Sequence, residues 1–532
     1  MIIYIDVHLL SLSFSNKLKD KCKNMCGIWF GKCDNNTNAL KIQHRGPDST
    51  IMNCIDDYTF VFHRLAINDI SSSGNQPMTA GNTTFMCNGE IYNHEFLKSE
   101  LQNSFKSKSD CEPILHMIEN NVPMRDICNS LDGVFAFVAM KGSTILAARD
   151  PVGVRPLFFG INSDDASLAF CSEAKGLQDF CKIVLEFPKG HYYTSHDNLF
   201  HKYHAVERPS ECVVPYSGST LKFLLESAVE KRLMSERPVS FFLSGGLDSS
   251  LIAAIGAKYL KKIETFSIGI GDSPDLKAAK EVSTFINSKH TEVRFTTSEA
   301  KAVLTDVIYA LETYDCTTIR ASVPMYILSK HVSTKTGNKV ILSGEGADEL
   351  FGGYLYFHNA PTNQEFQDET LRLLDNVHAH DVLRADRCTA SHGLELRVPF
   401  FDRALVQYVK SIHPKHKFSK NIEKNILRKA FENDNLLPDS ILWRQKNGMS
   451  DAVGYTWVNF IKEYANEHIS DTHYETNKNL YTTNPPLSKE ELLYREIYTD
   501  LYPKLDVLPH VWRPKWTQET DPSATLLNIH KK

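Results

Sequence analysis

The stretch VSFFLSGGLDSSLIAAIGAKYL, residues 239–260, holds a short apolar strand, a loop and a helix in one run. The loop contains two glycines and three serines, so backbone N–H groups and hydroxyls are free to surround a phosphate at the N-terminus of the helix. It lacks the lysine and the spacing of a G-x-x-x-x-G-K-[ST] loop. Asp248 would repel phosphate unless a cation lay between them, so the loop predicts Mg²⁺. A plain Gly-Gly turn capped by serines is the alternative interpretation.

A second glycine-rich loop follows a later strand, in VILSGEGADELFGGY, residues 340–354. Its acids Glu345 and Asp348 stand where that strand ends. Strands and helices alternate along residues 219–295, which predicts a parallel, doubly wound sheet with its ligand at the carboxyl ends of the strands. Loops after neighbouring strands line one crevice of such a sheet, so the two loops together predict a nucleotide–Mg²⁺ site. Taken alone, each is also compatible with a solvated turn.

A basic pair lies near the end of this second half, in LWRQKNGMSD, residues 442–451. Either Arg444 or Lys446 would neutralise a transferring phosphate, although most lysines are merely solvated. This pair is a candidate for phosphate binding only in combination with the two glycine-rich loops that precede it.

The first half of the chain has a different pattern. Short segments rich in β-branched and aromatic residues alternate with Gly, Asn and Asp turns, and a helix is predicted around CEPILHMIENN, residues 111–121. This is an α+β layered pattern rather than strict alternation of strands and helices. Residues 205–218 carry two prolines and a glycine without periodicity, which indicates a linker.

Length and composition set the broad class. A chain of 532 residues is too long for one ordinary core, and 42% hydrophobic with 23% charged residues is typical of a soluble globular protein. A net charge of −5 gives no reason to expect nucleic acid or an anionic membrane as a partner, and no apolar run approaches a membrane span. The twelve cysteines show no C-x-x-C pair, which indicates reduced thiols and a cytoplasmic protein.

The stretch NMCGIWFG, residues 24–31, contains a candidate nucleophile. If Cys26 became the N-terminal residue, it would carry a thiol beside a free α-amine, and the amine can act as the general base for the thiol. An isolated cysteine at the start of an apolar strand is otherwise an ordinary core residue.

Further residues of the first half complete an amino-acid site around that thiol. Arg64 can clamp a carboxylate, and Asn88 with the Gly89 N–H offers two donors for an oxyanion hole. Glu90 and Asp110 can hold an α-ammonium group. Each residue alone is more simply explained as a turn residue, but together they describe a site for glutamine, whose amide carbonyl Cys26 would attack.

The chain strongly resembles glutamine-dependent asparagine synthetases. The resemblance covers nearly the whole chain after residue 24. In the first half it rests on MCGIW, HRGPD, HRLAI, NGEIYNH, LDGVFAF, ARDPVGVRPLF, SEAKGL and FPKGHYY. In the second half it rests on LSGGLDSSL, TFSIGI, SPDLKAAKEV, TTIRASVPMYILSK, SGEGADELFGGYLYFH, GLELRVPF, LRKAF, WRQK and DPSATLLNIH.

This resemblance implies a fold and a division into domains. Residues 26–204 would be a class II glutamine amidotransferase domain, an α+β, four-layer αββα fold with an N-terminal nucleophile. Residues 219–515 would be an α/β, doubly wound ATP-pyrophosphatase domain, joined by the linker 205–218 and followed by a tail, 516–532. Residues 1–25 would be upstream sequence or a propeptide; residues 1–24 lack the resemblance and are expected to pack poorly.

The resemblance also implies ATP-dependent synthesis of L-asparagine from L-aspartate and L-glutamine through a β-aspartyl-AMP intermediate, with Mg²⁺. Cys26, Asn88, Gly89, Glu345 and Lys446 would be catalytic. Glutamine would be bound by Arg64, Leu65, Ala66, Ile67, Asn68, Asn88, Gly89, Glu90 and Asp110. Thr317 and Arg320 would lie near the aspartyl adenylate. ATP would be bound by Leu243, Ser244, Gly245, Gly246, Asp248, Ser249, Ser250, Ile268, Ser343 and Gly344, and the metal by Asp248 and Asp348.

Departures from the family and alternative functions stay open at this point. The spacing from Cys26 to HRGPD is short and predicts a trimmed helix after the first strand, and residues 447–452 differ from the family after Lys446. The alternatives are a related ligase that amidates another carboxylic acid, and an ammonia-dependent enzyme if the N-terminus is not processed. Loss of Cys26 or of the SGGLDSS loop would indicate a catalytically silent regulatory protein, and both are intact. A glutamine-linked sugar aminotransferase shares the first domain but needs no ATP loop. The sequence does not decide whether the chain forms a homodimer.

Overall fold

Two six-stranded antiparallel sheets from the first half of the chain lie face to face. The computed structural model describes residues 26–32, 37–204, 214–417, 419, 422–446 and 455–517. The first sheet has the order β10-β8-β9-β1-β3-β2 and the second the order β12-β11-β7-β6-β5-β4. Their strands are β1 Gly27–Gly31, β2 Ser49–Ile55, β3 Tyr58–Arg64, β4 Met78–Ala80, β5 Thr83–Ile91, β6 Gly133–Lys141, β7 Thr144–Arg149, β8 Phe158–Asn162, β9 Leu168–Cys171, β10 Cys181–Glu186, β11 His191–Thr194 and β12 Leu199–Lys202.

The alternation of side chains along β6 explains how the second sheet is buried on both faces. Ala136 and Val138 belong to the core between the sheets, whereas Phe135 and Phe137 belong to a second core under the helices. Successive side chains of a strand point to opposite faces, so a strand covered on both sides is apolar throughout. The predicted layered α+β domain is confirmed.

The helices of the first half are unequal on the two outer faces. They are α1 Thr37–Leu40, α2 His94–Glu100, α3 Glu112–Glu119 and α4 Met124–Ser130. Helix α3, which the sequence predicted, packs on the second sheet with Ile114 and Leu115 buried. Helix α1 is a single turn, in keeping with the predicted trimmed helix. The outer face of the first sheet therefore also packs on the second domain, and Trp29 and Val61 share one core with Leu342.

The second half is organised by a five-stranded, wholly parallel sheet of order β15-β14-β13-β16-β17, as predicted. Its strands are β13 Val239–Phe242, β14 Glu264–Gly269, β15 Lys289–Arg294, β16 Val340–Leu342 and β17 Glu395–Arg397. The chain winds outward from β13 in one direction and then continues on the other side of β13 with β16. The point where the order reverses lies between β13 and β16, which is where such sheets bind ligands. The two predicted loops follow these two strands.

Helices surround this sheet, and the last of them ends at Leu501, before the end of the described chain. They are α5 Gly218–Lys231, α6 Leu247–Tyr259, α7 Pro274–Phe285, α8 Thr297–Ala302, α9 Leu304–Leu311, α10 Cys316–Lys335, α11 Ala347–Phe351, α12 Asn363–Asn376, α13 Asp381–Ala390, α14 Arg403–Ser411, α15 Pro414–Lys417, α16 Asn425–Phe431, α17 Asp439–Leu442, α18 Tyr455–His468, α19 Asp471–Asn477 and α20 Lys489–Leu501. The helices predicted after β13 and β14 are α6 and α7. Short 3₁₀ turns lie at Gln43–Arg45, Ser72–Gly74, Ala174–Gly176, Leu355–Asn359, Val377–Ala379, Pro399–Phe401 and Lys478–Leu480.

Some predictions concern residues that the structure does not describe. These are the extension 1–25, most of the linker 205–218, the altered loop after Lys446 and most of the tail 516–532. Within the described ranges, no helix combines the length and the apolar character that a membrane crossing requires.

Candidate active sites

Cys26 stands immediately before β1, opposite the end of β3. Because β1 and β3 are antiparallel with Gly27 opposite His63, the cysteine reaches the residue after β3. Its Sγ accepts the Leu65 N–H at 3.3 Å and lies 3.5 Å from the Leu65 carbonyl oxygen. Burial raises the pKa of the Cys26 thiol to about 12. A thiol with so high a pKa needs a base before it can act as a nucleophile.

The segment from Leu65 to Asn68 is held in place from both domains. The Ala66 N–H donates to Asp48 at 2.9 Å, and the Ala66 carbonyl accepts from Arg237 of the second domain at 2.9 Å. The Ile67 carbonyl accepts the Glu236 N–H at 3.1 Å. This backbone therefore has a fixed position next to the Cys26 thiol, where the sequence predicts contacts to glutamine.

Three predicted glutamine-binding residues meet in one buried cluster. The Asn68 amide donates to Glu90 at 2.6 Å and to Asp110 at 3.4 Å, and Asp110 also accepts the Ile91 N–H at 2.7 Å. Burial raises the pKa of Glu90 and of Asp110 above the ordinary carboxyl range. Two acidic side chains buried side by side favour the binding of a cationic group, such as an α-ammonium, next to them.

The side-chain amide of Asn88 is available as a hydrogen-bond donor. It lies on β5 and is 2% exposed, and its buried amide Nδ2 has no hydrogen-bond partner within the described part of the chain. A buried amide donor without a partner costs free energy unless a bound group accepts from it. Gly89 follows it, and a Cβ at Gly89 would lie 2.5 Å from the Val134 carbonyl oxygen, so the strand tolerates only glycine here.

Arg64 has a different position from the one its charge suggested. Its guanidinium donates to the Ser71 carbonyl at 2.7 Å, to Asn75 at 2.6 Å and to the Asp69 carbonyl. The arginine therefore orders the 69–75 loop beside the pocket. The predicted clamp on a carboxylate would require it to exchange one of these partners.

The two loops of the second domain touch each other. The Ser244 N–H donates to Ser249 Oγ at 3.1 Å, and the two hydroxyls lie 2.9 Å apart. A Cβ on Gly344 would lie 2.7 Å from the Ser249 nitrogen. The loops after β13 and β16 thus close on one another only because glycine stands at the contact, and the predicted shared crevice is present.

A cavity of about 230 Å³ opens between these loops. Its lining includes most residues predicted for ATP and aspartate, namely Leu243, Ser244, Gly246, Asp248, Ser249, Ile268, Thr317, Ser343, Gly344, Glu345, Asp348 and Lys446. It also includes Asp275, Tyr354, Asp381, Arg384, Lys424 and Arg444, most of which the sequence alone did not single out.

Three predicted residues do not line this cavity. Gly245 faces away from it, with a φ of +73° and with helix α7 so close that a Cβ would lie 2.4 Å from the Ala279 nitrogen. Ser250 is fully buried behind the loop. Arg320 is bound bidentately to Glu490 at 2.7 and 2.6 Å, so its guanidinium supports helix α10 from the side of α20.

A cluster of two acids and two lysines forms the floor of the cavity. Lys446 Nζ lies 2.6 Å from Asp348, and Lys424 Nζ lies 2.5 Å from Asp248 and 2.7 Å from Asp348. Although burial acts to raise it, the two ammonium groups hold the pKa of Asp348 well below its usual range. Burial opposes the charge of Lys446, but Asp348 and Asp248 raise its pKa and keep it protonated.

Glu345 is fixed by an arginine that the sequence did not predict. Arg384, on α13, donates to Glu345 and to Asp381, each at 2.7 Å. Burial raises the pKa of Glu345, and Arg384 opposes that rise. The arginine directs the Glu345 carboxyl group toward the cavity and favours its charged form there.

The acids of the floor fit the predicted Mg²⁺. Magnesium in nucleotide sites is commonly held by one or two carboxylates together with phosphate oxygens and water. Asp248 Oδ1 is buried and accepts no hydrogen bond from any described residue, so a carboxylate oxygen remains available at the cavity. No group of three or more His, Cys, Asp or Glu side chains in the described ranges is arranged to hold a metal ion, so the two acids would need phosphate oxygens and water as further ligands.

An arginine of the second domain reaches the first site. Arg397, on β17, lies 3.1 Å from Glu90 and 2.7 Å from Glu395, and it donates to the Arg232 carbonyl at 2.8 Å. It is fully buried. The cluster that holds Glu90 is therefore completed across the domain boundary, which no local pattern in the sequence indicates.

Family models match both halves of the chain. The model described as a glutamine amidotransferase domain matches residues 25–208, and the model described as asparagine synthase matches residues 220–372 and 359–527.

Whole-length relatives agree with these matches. The chain is 41% identical over 561 residues to a glutamine-hydrolysing asparagine synthetase of Bos taurus, covering 95% of this chain and 99% of the relative. It is 41% identical over 537 residues to a probable glutamine-hydrolysing asparagine synthetase of Dictyostelium discoideum, covering 92% and 95%. It is 39% identical over 531 residues to glutamine-hydrolysing asparagine synthetase 2 of Arabidopsis thaliana, covering 92% and 91%.

Proposed function

The chain belongs to the glutamine-hydrolysing asparagine synthetases, and on that premise we propose how its own residues divide the reaction. As a carbon–nitrogen ligase, it forms asparagine from aspartate with glutamine as the nitrogen donor and ATP as the co-substrate. Its first domain is an amidotransferase domain and its second an ATP-pyrophosphatase domain. The roles of single residues are our inference from the geometry.

In the first domain, Cys26 is the nucleophile. Its thiolate attacks the amide carbon of glutamine, a C–S bond forms, and ammonia leaves with the proton of the thiol; water then hydrolyses the thioester to glutamate. The unpartnered amide of Asn88 and the Gly89 N–H stabilise the oxyanion. Asn68, Glu90 and Asp110 orient the α-ammonium group, and Arg64 with the Leu65–Asn68 backbone shapes the opposite wall.

In the second domain, the 244–250 loop binds the phosphates of ATP. The β-carboxylate of aspartate attacks the α-phosphorus, pyrophosphate leaves, and ammonia then displaces AMP from the mixed anhydride. Lys446 stabilises the charge that develops on phosphate. Glu345 and Thr317 border the part of the cavity where aspartate would lie, while Arg320 holds the helix that carries Thr317.

Magnesium would be held by Asp248 and Asp348. The ion would neutralise the phosphate charge and so make pyrophosphate a better leaving group. The available oxygen of Asp248 supports this assignment.

The proposed nucleophile also requires removal of residues 1–25. With the preceding chain attached, the nitrogen of Cys26 is an amide and cannot act as a base. A raised thiol pKa makes that base necessary. All nine described cysteines are free thiols, which supports a reducing, cytoplasmic location.

The observation that carries this division is that Cys26 and Asn88 lie with the antiparallel sheets of the first domain, whereas Glu345 and Lys446 line the cavity of the second. Glu345→Gln should abolish formation of AMP and pyrophosphate, because it removes the charge while keeping the shape. Glutamine hydrolysis should largely survive.

Cys26→Ala is the reciprocal variant. It should lose glutamine hydrolysis and still make asparagine from added ammonium at raised pH, where more free ammonia is present. A folded Glu345→Gln protein that lost both activities together would show that the sites do not work independently.

A further inference from the structure

Lys424 occupies an unusual position in the cavity floor. It is the residue before helix α16, it adopts a left-handed backbone conformation with φ of 55°, and its side chain is 2% exposed. Non-glycine residues rarely adopt this conformation, and buried lysines are rare unless they are paired. A strained backbone that delivers a buried ammonium into a binding cavity points to a task at that cavity.

The ammonium of Lys424 lies between the two carboxylates assigned to the metal. Its Nζ is 2.5 Å from Asp248 Oδ2 and 2.7 Å from Asp348 Oδ1. Lys446 Nζ contacts the other oxygen of Asp348 at 2.6 Å. The four side chains carry two positive and two negative charges, so the pair of acids is already neutralised without a metal ion.

A divalent cation that bridges the two carboxylates would compete with this ammonium for Asp348, even though the Oδ1 of Asp248 is available. The two cations exclude each other by charge, because both oxygens of Asp348 already contact lysine ammonium groups and a metal ion on Asp248 Oδ1 would lie beside Lys424 in a buried environment of low dielectric constant. Either Lys424 stays between the acids or a metal ion does.

We propose that Lys424 keeps the Asp248–Asp348 pair closed to divalent cations until ATP brings its own cation into the cavity. This inference rests on the proposed metal role of the two acids. Phosphate oxygens supply the extra ligands that a free metal ion lacks, so the nucleotide-bound ion displaces the lysine where the free ion does not. The displaced ammonium of Lys424 then lies beside the phosphates of ATP, where its positive charge offsets their negative charge.

Gly353 offers an independent way to move the lysine. A Cβ on this residue would lie 2.0 Å from Lys424 Cε and 2.3 Å from Asp348 Oδ1. Gly353 is not among the glycines with positive φ, so its backbone accepts alanine. Gly353→Ala should therefore press on both the Lys424 ammonium and the Asp348 carboxylate, and so perturb the pairing without removing either charge.

The test measures binding of Mn²⁺ ions, as a stand-in for Mg²⁺, to the ATP-free protein by electron paramagnetic resonance. The native protein should bind Mn²⁺ weakly at this site, and Lys424→Met should bind it at least about tenfold more tightly, since a full positive charge has been removed beside the acids. Lys429→Met is the control, because this lysine lies on the same helix but is exposed.

Two further measurements keep the outcomes distinct. Adding Asp248→Asn to Lys424→Met should abolish the new Mn²⁺ site, which locates it. The native protein with a non-hydrolysable ATP analogue should hold Mn²⁺ in a manner that depends on Asp248; if it does not, the proposed metal role itself is wrong.

The inference is overturned in either of two cases. One is that the ATP-free native protein already binds Mn²⁺ through Asp248 as tightly as Lys424→Met does. The other is that Lys424→Met, folded by circular dichroism, binds Mn²⁺ no better than Lys429→Met.

Discussion

Single atoms decide the chemistry of the glutamine site. The buried amide of Asn88 has no acceptor within the described chain, which is unfavourable in a resting protein, and burial raises the pKa of the Cys26 thiol, so its reactive thiolate is costly to form. Such costs are typical of groups arranged for a substrate. In the second domain, the left-handed backbone conformation of Lys424 is a similar cost in the resting protein.

Removal of the Asn88 amide should impair catalysis more than binding. Asn88→Ala should lower kcat for glutamine hydrolysis by about 10²–10³-fold, the usual effect of losing one oxyanion donor. KM for glutamine should change little, because the donor acts on the transition state. Steady-state kinetics of glutamate release tests this, with ammonium-dependent asparagine synthesis as the internal control. An unchanged kcat would remove Asn88 from the oxyanion hole.

Strands and helices that belong to one domain serve the site of the other. Strand β17 of the parallel sheet ends in Arg397, which holds Glu90 of the glutamine cluster. Helix α13 faces both ways: Arg384 holds Glu345 at the ATP cavity, while Asp386 lies 2.9 Å from Arg45, whose Nε donates to the Cys26 carbonyl at 3.1 Å. The fold therefore ties the two sites together through rigid elements.

Arg397→Met should impair the glutamine site although the residue belongs to the other domain. Loss of its charge leaves Glu90 buried with Glu395 nearby, so KM for glutamine should rise at least about tenfold. Ammonium-dependent synthesis should be retained. Arg403→Met is a matched control, since Arg403 also bridges the domains, to the Asn129 carbonyl, but at an exposed position. Equal effects of the two variants would indicate general loosening of the interface.

The elements that the sequence predicted correctly are those that neighbouring residues specify. An apolar strand followed by a glycine loop and a helix is specified by neighbouring residues, so β13, β16 and their loops were predicted correctly. Lys424, Arg384 and Arg397 were missed because long-range folding brings them to their partners; Lys424 meets Asp248 across 176 residues. Arg320 was assigned to the cavity, yet Glu490, 170 residues later, engages its guanidinium.

The two domains are joined by buried ion pairs. Glu173 of the first domain is fully buried and lies 2.7 Å from Arg45 and 2.9 Å from Arg387 of the second. Burial acts to raise its pKa, but Arg387, His44 and Lys175 hold the pKa well below 4.5. This pairing is consistent with a closed interface between the site that releases ammonia and the site that uses it, where free ammonia would avoid protonation by bulk water.

Stability should depend on this carboxylate in a pH-dependent way. Glu173→Gln leaves buried cations unpaired and should destabilise the protein by about 3–5 kcal/mol at pH 7. Because the pKa of Glu173 is lower in the folded than in the unfolded state, its contribution is complete above the unfolded pKa of about 4.3 and is lost at lower pH. The difference in urea midpoint from the native protein should therefore shrink below pH 4.3. Glu292→Gln, which breaks an exposed pair, should change the midpoint little.

The state of the N-terminus tests the proposed chemistry of the whole molecule most directly. The measurement is the N-terminal sequence and intact mass of glutamine-hydrolysing enzyme purified from its natural host, beside a protein made to begin at Met25. We predict that both active proteins begin at Cys26, because only then does the thiol have an amine as its base. Residues 1–25 found intact on enzyme that still hydrolyses glutamine would contradict it.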